Sequence, residues 1–338
     1  MTESSKVTRK DVAKEAGVSV TIVSYVVNNN RYVDADKRRR VEEAVKKLRY
    51  TPNPIARSLK GKSSYHIMFI ADKIDNEHFG KLVREMDNYA YDKGYLISLC
   101  ANRNDDDFIR KILSRQVDGV IINSISFSED YIKKIIHAGI PVVLFKNKTY
   151  SEPLEGVCAL YSGLYSGAKD CVKRLCEKGC KSVMYIDRIS THNNFSDLSD
   201  LRLKGYYDGL KENGLEFNKN DIISGCHEEQ EVIDKVIARL RDGGKVDAIF
   251  GRNDHMALLA MSAAKKAGYN VPRDIMIIGF DNSIASQLSD PTLTTVEIDR
   301  AGLGKEAVKM LMNMVAKKEP YKKEFKTTFI ERESTMRE

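Results

Sequence analysis

The sequence predicts a small all-α head of helix-turn-helix type followed by an α/β body built on two parallel sheets. Three observations carry this. Basic residues concentrate at the N-terminus: residues 1–62 hold 15 Lys and Arg against 7 Asp and Glu, while the rest of the 338-residue chain holds 40 against 41. Residues 8–50 repeat apolar side chains at helical spacing, with Gly17 between the first two segments. From Tyr65 onward, short apolar runs alternate with helical stretches, the pattern of parallel strands covered on both faces.

Thr8 followed three residues later by Asp11 is a capping-box-like start. Val12, Ala13 and Ala16 then share one face of a first helix, and Gly17 ends it in the left-handed conformation that a C-terminal turn requires. Ser19 caps a second helix, Val20 to about Asn28, whose core-facing positions are Ile22, Val23, Val26 and Val27. Asp34 caps a third, about 35–48, with Val41, Ala44, Val45 and Leu48 at helical spacing. Two helices joined by a four-residue turn containing glycine make a helix-turn-helix unit, and Ala13 is small where they cross. Val20, Thr21, Ser24, Tyr25 and Asn28 fall on the outer side of the second helix. From there such a helix reads base edges in the major groove. A concentrated positive field suits a polyanion partner. A charged three-helix bundle without DNA would share the charge but has no need of this spacing.

The segment Asn53-Pro54-Ile55-Ala56-Arg57-Ser58-Leu59 has a cap-competent Asn and a Pro at the first helical position. Isolated helices shorter than roughly 12 residues are marginal in water. The segment is therefore expected to fold only when the face formed by Ile55, Ala56 and Leu59 finds a partner.

In the body the strand-like runs are HIMFIA (66–71), YLISLCA (95–101), VDGVIINS (117–124), PVVLF (141–145), SVMYID (182–187), VDAIFG (246–251) and IMIIGFD (275–281). Helical patterns lie between them, around 79–93, 105–115, 129–138, 163–178, 200–213, 229–241 and 254–267. Ligands of such sheets bind in the cleft at the carboxyl ends of the strands. That location selects Asp281, Asn253 and Arg202, the last at the start of a helix after the loop 188–199. Asp72, Asn76, His78 and Phe79 follow the first strand as the opposite wall, with Phe79 as an apolar platform.

The motifs T-x-x-D-V-A-x-x-A-G-V-S at 8–19, T-x-V-S-x-V at 21–26, R-x-x-V at 38–41 and Y-x-P-N-x-x-A-R-S-L at 50–59 together resemble the DNA-binding head of the LacI/GalR family of bacterial transcription regulators. The body resembles that family's effector-binding core at Gly94, Val117-Asp118-Gly119, Arg202-x-x-Gly205-Tyr206, Asn253-Asp254-x-Met256-Ala257 and Gly279-Phe280-Asp281, followed by Leu293-Thr294-Thr295-Val296. The resemblance implies a periplasmic-binding-protein-like core of two Rossmann-like subdomains. It divides the chain into a head (1–50), a hinge helix and linker (51–64) and a core (65–338). Within the core, the N-subdomain spans about 65–162 and 293–325, and the C-subdomain about 163–292 and 326–338.

It further implies that Val20, Thr21 and Tyr25 reach base edges, and that Ser19, Ser24 and Asn28 contact phosphate or sugar, with Thr8 also counted among the DNA-binding residues. Asn53, Ala56 and Leu59 would belong to hinge helices paired in the minor groove, where the leucine wedges into a base step and kinks the duplex. Asp281, Asn253 and Arg202 match positions that hold effector. Two departures stand out. Tyr25 occupies a position where the family usually has Arg, so the operator should differ from the usual family site. Ser162 stands where many sugar-binding members have Asp, and with no Trp in the chain any stacking on a sugar must come from Phe or Tyr.

The expected function is that of a homodimeric, sequence-specific transcription regulator, a repressor, that reads a near-palindromic operator in double-stranded DNA. A small molecule held between the subdomains controls it. A carbohydrate is the expected effector; a nucleobase or another metabolite, or corepressor-dependent repression, is the alternative. No cofactor or metal is expected. His66, His78, His137, His192, His227 and His255 show no metal spacing. Gly61-Lys62-Ser63 looks like the end of a phosphate loop, but Ala56 holds the earlier glycine position. There is no G-x-S-x-G elbow. A carbohydrate-related enzyme with a DNA-binding head is the remote alternative. The N-terminus lacks an apolar signal core, no apolar run approaches the roughly 20 residues of a membrane span, and six cysteines are few for this length. A reduced, cytoplasmic protein with no membrane partner is expected. No leucine heptads follow the last strand, so a coiled-coil tetramer is not expected.

The hinge reading makes a direct prediction. Leu59→Ala should weaken binding to a specific duplex far more than binding to random-sequence DNA in a gel-shift titration. Equal losses on both would remove the wedge.

Overall fold

The caps read in the sequence start the helices of the head. In the computed structural model, which describes residues 7–29, 31–51 and 63–337, the backbone N–H and hydroxyl of Thr8 both donate to Asp11 Oδ2, at 2.8 and 2.7 Å. They open α1 (Arg9–Ala16), and Gly17 closes it at φ +61°, with the Val18 N–H donating to the Ala13 carbonyl. Ser19 Oγ accepts from the Ile22 N–H to start α2 (Val20–Asn28). Asp34 accepts from the Asp36 and Lys37 N–H groups to start α3 (Ala35–Lys47). Val12, Ala13, Ala16, Val23, Val26, Val41 and Ala44 bury against one another together with Val33 and Tyr50. Ile22 and Val27, expected in this core, are only half-buried against its rim. The hinge segment, with Asn53, Ala56 and Leu59, lies outside the described residues.

The chain divides into two compact units, Met1–Ser64 and Tyr65–Glu338. The second unit begins with β1 (His66–Ala71), α4 (Glu77–Tyr91), β2 (Leu96–Ala101), α5 (Asp106–Leu113), β3 (Gly119–Asn123), α6 (Glu129–His137), β4 (Val142–Phe145) and β5 (Val157–Tyr161). It continues with α7 (Leu164–Glu177), β6 (Val183–Ile186), α8 (Leu201–Glu212), β7 (Ile222–Ile223), α9 (Glu229–Arg241), β8 (Ala248–Gly251), α10 (Asp254–Lys266), β9 (Met276–Ile278) and α11 (Ile284–Leu288). It ends with β10 (Thr295–Ile298), α12 (Arg300–Val315), β11 (Lys322–Glu324) and β12 (Thr327–Ile330). One sheet has the order β11-β5-β4-β3-β1-β2 and another β7-β6-β8-β9, each wholly parallel.

Strands β1, β3 and β4 are buried almost throughout, as continuous apolar runs flanked by helices require. Strand β2 departs from that expectation: Leu96 and Leu99 are 63% and 42% exposed, because β2 is the free edge of its sheet. The chain crosses back to the first sheet later than the expected boundary at 293. The Gly279 and Asp281 N–H groups donate to the Thr294 and Val296 carbonyls at 2.8 and 2.9 Å, so residues 294–296 still run beside the end of β9. Only after β10, which pairs antiparallel with β12, does α12 pack on α4 and β11 join β5.

Helices α7 and α8 cross closely enough to exclude a side chain. A Cβ at Gly205 would collide with the Tyr165 carbonyl oxygen and lie 3.0 Å from Ala168 Cβ. Gly205→Ala is therefore expected to destabilise the protein by about 1–3 kcal/mol through overpacking. Urea unfolding should show a lower midpoint at an unchanged slope.

Candidate functional site

On the head, the side chains expected to read DNA share the outer side of α2. Val20 and Thr21 are exposed, and Ser24, Tyr25 and Asn28 are half-buried. Asn28 Nδ2 donates to the Ser24 carbonyl and Oγ at 2.7 and 3.1 Å, which fixes both side chains relative to each other. The Thr8 hydroxyl and Ser19 Oγ are engaged as caps. Arg31, which the sequence reading passed over, places its guanidinium 5.3 Å from the centre of the Tyr25 ring and 3.5 Å from its hydroxyl. A guanidinium thus stands beside the Tyr25 ring.

In the body a cavity of about 570 Å³ lies where the carboxyl ends of the two parallel sheets face each other. All eight expected effector residues line it: Asp72, Asn76, His78, Phe79 and Ser162 from the first subdomain's side, and Arg202, Asn253 and Asp281 from the second's. Several have less hydrogen-bonding capacity to spare than their types suggest. Asn76 caps α4 by accepting from the Phe79 N–H at 2.9 Å, and Asn253 caps α10 by accepting from the Met256 N–H at 2.9 Å. Each can still offer its amide N–H₂ and one remaining lone pair on the oxygen. Asp72 accepts from Ser124 Oγ, Ser126 Oγ and the Ile125 N–H, at 2.5, 2.5 and 2.8 Å.

The opposite wall is held under more strain. Asp281 sits at φ +106°, a conformation that costs free energy for any residue with a side chain. Its carbonyl accepts from Arg300 Nη2, and its Oδ1 is buried without a hydrogen bond among the described residues. Arg202 stacks over Phe280, its guanidinium carbon 4.2 Å from the ring centre. It donates to the Arg252 carbonyl and stands 3.6 Å from Asp281 Oδ1, yet its Nε is unpaired. Burial pushes the Arg202 pKa below the usual arginine range.

Two further arginines line the cavity, Arg188 two residues after β6 and Arg252 directly after β8. They stand at the ends of SVMYID and VDAIFG, so the strand-end criterion that selected Asp281 and Asn253 would have found them too. Both donate to Asp200 Oδ2 and also to Ser196 Oγ, at 2.7 Å from Arg188 and 2.9 Å from Arg252. Burial alone would raise the Asp200 carboxyl, but the guanidiniums of Arg252 and Arg188 override it and hold the pKa at about 2. Asp200 Oδ1 meanwhile caps α8 through the Arg202 N–H.

The two subdomains touch at both margins of the cleft. The Thr149 N–H donates to the Ser199 carbonyl at 2.8 Å, and the Leu201 N–H to the Asn147 carbonyl at 3.0 Å. On the other side Glu77 accepts from the Ile284 N–H at 3.1 Å, and His78 Nδ1 lies 3.8 Å from Asp281 Oδ1. Among the described residues, no cluster of three or more His, Cys, Asp and Glu could hold a metal ion, and no helix is long and apolar enough to cross a membrane.

Comparison with known proteins fits this geometry. Residues 8–53 match the family of bacterial regulatory proteins called lacI, and residues 172–335 match a periplasmic binding protein-like domain. The HTH-type transcriptional repressor PurR of Mannheimia succiniciproducens is 30% identical over 319 residues, covering 92% of this chain and 93% of that one. The chain belongs to the LacI family of bacterial regulators. Catabolite control protein A of Priestia megaterium is 31% identical over 316 residues, with 92% and 93% covered. The crystal structure of the lac repressor dimer bound to operator and the anti-inducer ONPF shares the fold, with a TM-score of 0.83 at 24% identity over 98% of this chain and 100% of that one. As a LacI-family member the protein is a DNA-binding transcription regulator under small-molecule control, and not an enzyme.

The buried His78 gives the cleft a pH response. Burial lowers its pKa to about 4; Asp281 opposes the shift, while Arg300, Arg202 and Lys81 reinforce it. At neutral pH the imidazole is uncharged in both folded and unfolded chains. As pH falls below the unfolded value of about 6.5, the unfolded chain takes up a proton that the folded one refuses. Stability should therefore drop by about 1.4 kcal/mol per pH unit between about 6.5 and 4 relative to a His78→Gln variant. Urea midpoints measured for both proteins across that range check the sign. Parallel curves would show that His78 titrates normally.

Proposed function

We propose that this protein is a repressor that binds a near-palindromic operator as a two-fold homodimer, and that a polyhydroxylated effector in the cleft controls the grip. The observation that carries the effector reading is where unpaired polar atoms collect. Among the described residues His78 Nδ1, Arg188 Nε, Arg202 Nε and Asp281 Oδ1 are buried without hydrogen-bond partners, and all four belong to the cavity lining. Leaving such groups unsatisfied is costly. Two are donors, one is an acceptor and the imidazole nitrogen can be either, and a hydroxyl group can serve each kind. The face of Phe79 and the nearby Phe145 offer the apolar contact that a sugar ring needs when no Trp is available.

Dimer formation is supported by the free edge of β2, where Leu96 and Leu99 are exposed, and by Tyr91 at the end of α4, which is 70% exposed. Paired heads would read half-sites in successive major grooves. Val20, Thr21 and Tyr25 would contact bases, with Ser19, Ser24, Asn28 and Thr8 at the backbone. Asn53, Ala56 and Leu59 would supply the hinge pairing. Effector that favours one angle between the subdomains shifts the segment entering β1 and so the hinge. By linkage, operator and effector alter each other's affinity by the same factor.

Selection from random duplexes tests this reading. The wild-type protein should enrich a two-fold near-palindrome. Tyr25→Arg should move the half-site toward guanine, with about 1–3 kcal/mol of discrimination at the altered position. Failure to enrich any sequence would overturn the reading, and an unchanged half-site in the variant would take Tyr25 out of base readout.

A further inference from the structure

The cavity presents more guanidinium than a neutral polyol can use. Arg188 and Arg252 both reach its surface, while the carboxylates that balance them stand behind the lining. Asp187 is held by the Ser196 N–H and Oγ and by Ser224 Oγ, at 2.8, 2.6 and 2.9 Å. Asp200 gives one oxygen to the cap of α8 and leaves a single oxygen, Oδ2, to both arginines, which share Ser196 Oγ as their other acceptor. Neither planar fork therefore has the two-pronged partner it is shaped for, and Arg188 Nε has no hydrogen bond. The acids that do line the cavity offer little competition. Asp72 already accepts from Ser124, Ser126, Asn102 and the Ile125 N–H, Asp281 faces Arg202, and Glu228 and Glu229 are exposed.

We propose that the effector carries an anionic group, a phosphate or a carboxylate, which Arg188 and Arg252 grip while its hydroxyls face Arg202 and Asp281. This deepens the effector reading above and rests on it. A tetrahedral or planar oxyanion provides several acceptors at once, so it completes both forks without displacing Asp187. Burial lowers the pKa of Arg188, with Arg252 adding to the effect, whereas Asp200 and Asp187 outweigh burial and raise that of Arg252, so the shortfall of negative charge lies at Arg188.

Thermal-shift and calorimetric titrations of the full chain with matched pairs test the proposal: glucose against glucose 6-phosphate, ribose against ribose 5-phosphate, and glucose against gluconate, with adenine and guanine included. At least one acidic member should raise the melting temperature where its neutral parent does not. Arg188→Gln and Arg252→Gln should each weaken that ligand by about tenfold or more, and Arg252→Lys by less. Should either Gln variant fail to show a cooperative melt, the comparison of neutral and acidic ligands on the wild-type chain decides. Acidic ligands that never bind, or neutral parents and free bases that bind as well, would overturn the anion proposal. A ligand whose affinity falls in Asp281→Ala but not in the arginine variants would do so while leaving the cleft as effector site. A ligand indifferent to all of these substitutions would overturn both.

Discussion

Everything at the cleft depends on keeping charged side chains away from water with fewer partners than they can take. Arg188, Arg202 and Arg252 emerge at strand or helix ends where apolar strands converge behind them, so their positions are imposed by the sheets. A buried charge is tolerated only when paired and hydrogen-bonded. Here Asp187, Asp200 and Asp281 supply the charge balance but not the full set of hydrogen bonds. The shortfall converts a gap between two sheets into a site with a chemical preference. His78 stays neutral chiefly because it is desolvated, and a third cation beside Arg202 and Arg300 would add to an environment already short of acceptors.

Much of this was legible in the residues because the rules that apply are local or topological. Caps depend on three or four neighbouring residues, so Thr8 with Asp11, Ser19 and Asp34 gave the head's helix starts directly. Cleft residues follow from strand ends, and the ends of β1, β5, β8 and β9 with the start of α8 place the eight expected effector residues on one cavity. The same rule marks Arg188 and Arg252, which follow the apolar runs SVMYID and VDAIFG.

What could not be read is what sheet order and cross-chain contacts decide. Apolar composition cannot tell an edge strand from a central one, so β2 looked as buried as β3 until the order β3-β1-β2 put it outermost. Nothing local marks residues 294–296 as continuing alongside β9, because the two hydrogen bonds that hold them there come from Gly279 and Asp281. Asn76 and Asn253 were rightly placed, but each has its carbonyl oxygen committed to a helix start. Position in sequence gives location; the remaining hydrogen-bonding capacity is known only once the neighbours are.

Asp200 joins these levels. Its Oδ1 caps the helix that carries Arg202, and its Oδ2 holds Arg188 and Arg252. Its backbone lies in the short antiparallel bridge to Lys148 by which the second subdomain touches the first. A ligand that competes for either arginine thus acts on the residue that fixes both the helix start and the contact across the cleft. Coupling over distance requires an element with two arrangements that both sites bias. The loop 188–200 connects the ligand cleft to the contact with the first subdomain: Arg188 donates to Asp200, the Ser196 N–H to Asp187, the Ser190 N–H to the Cys226 carbonyl, and the Ser199 carbonyl accepts from the Thr149 N–H.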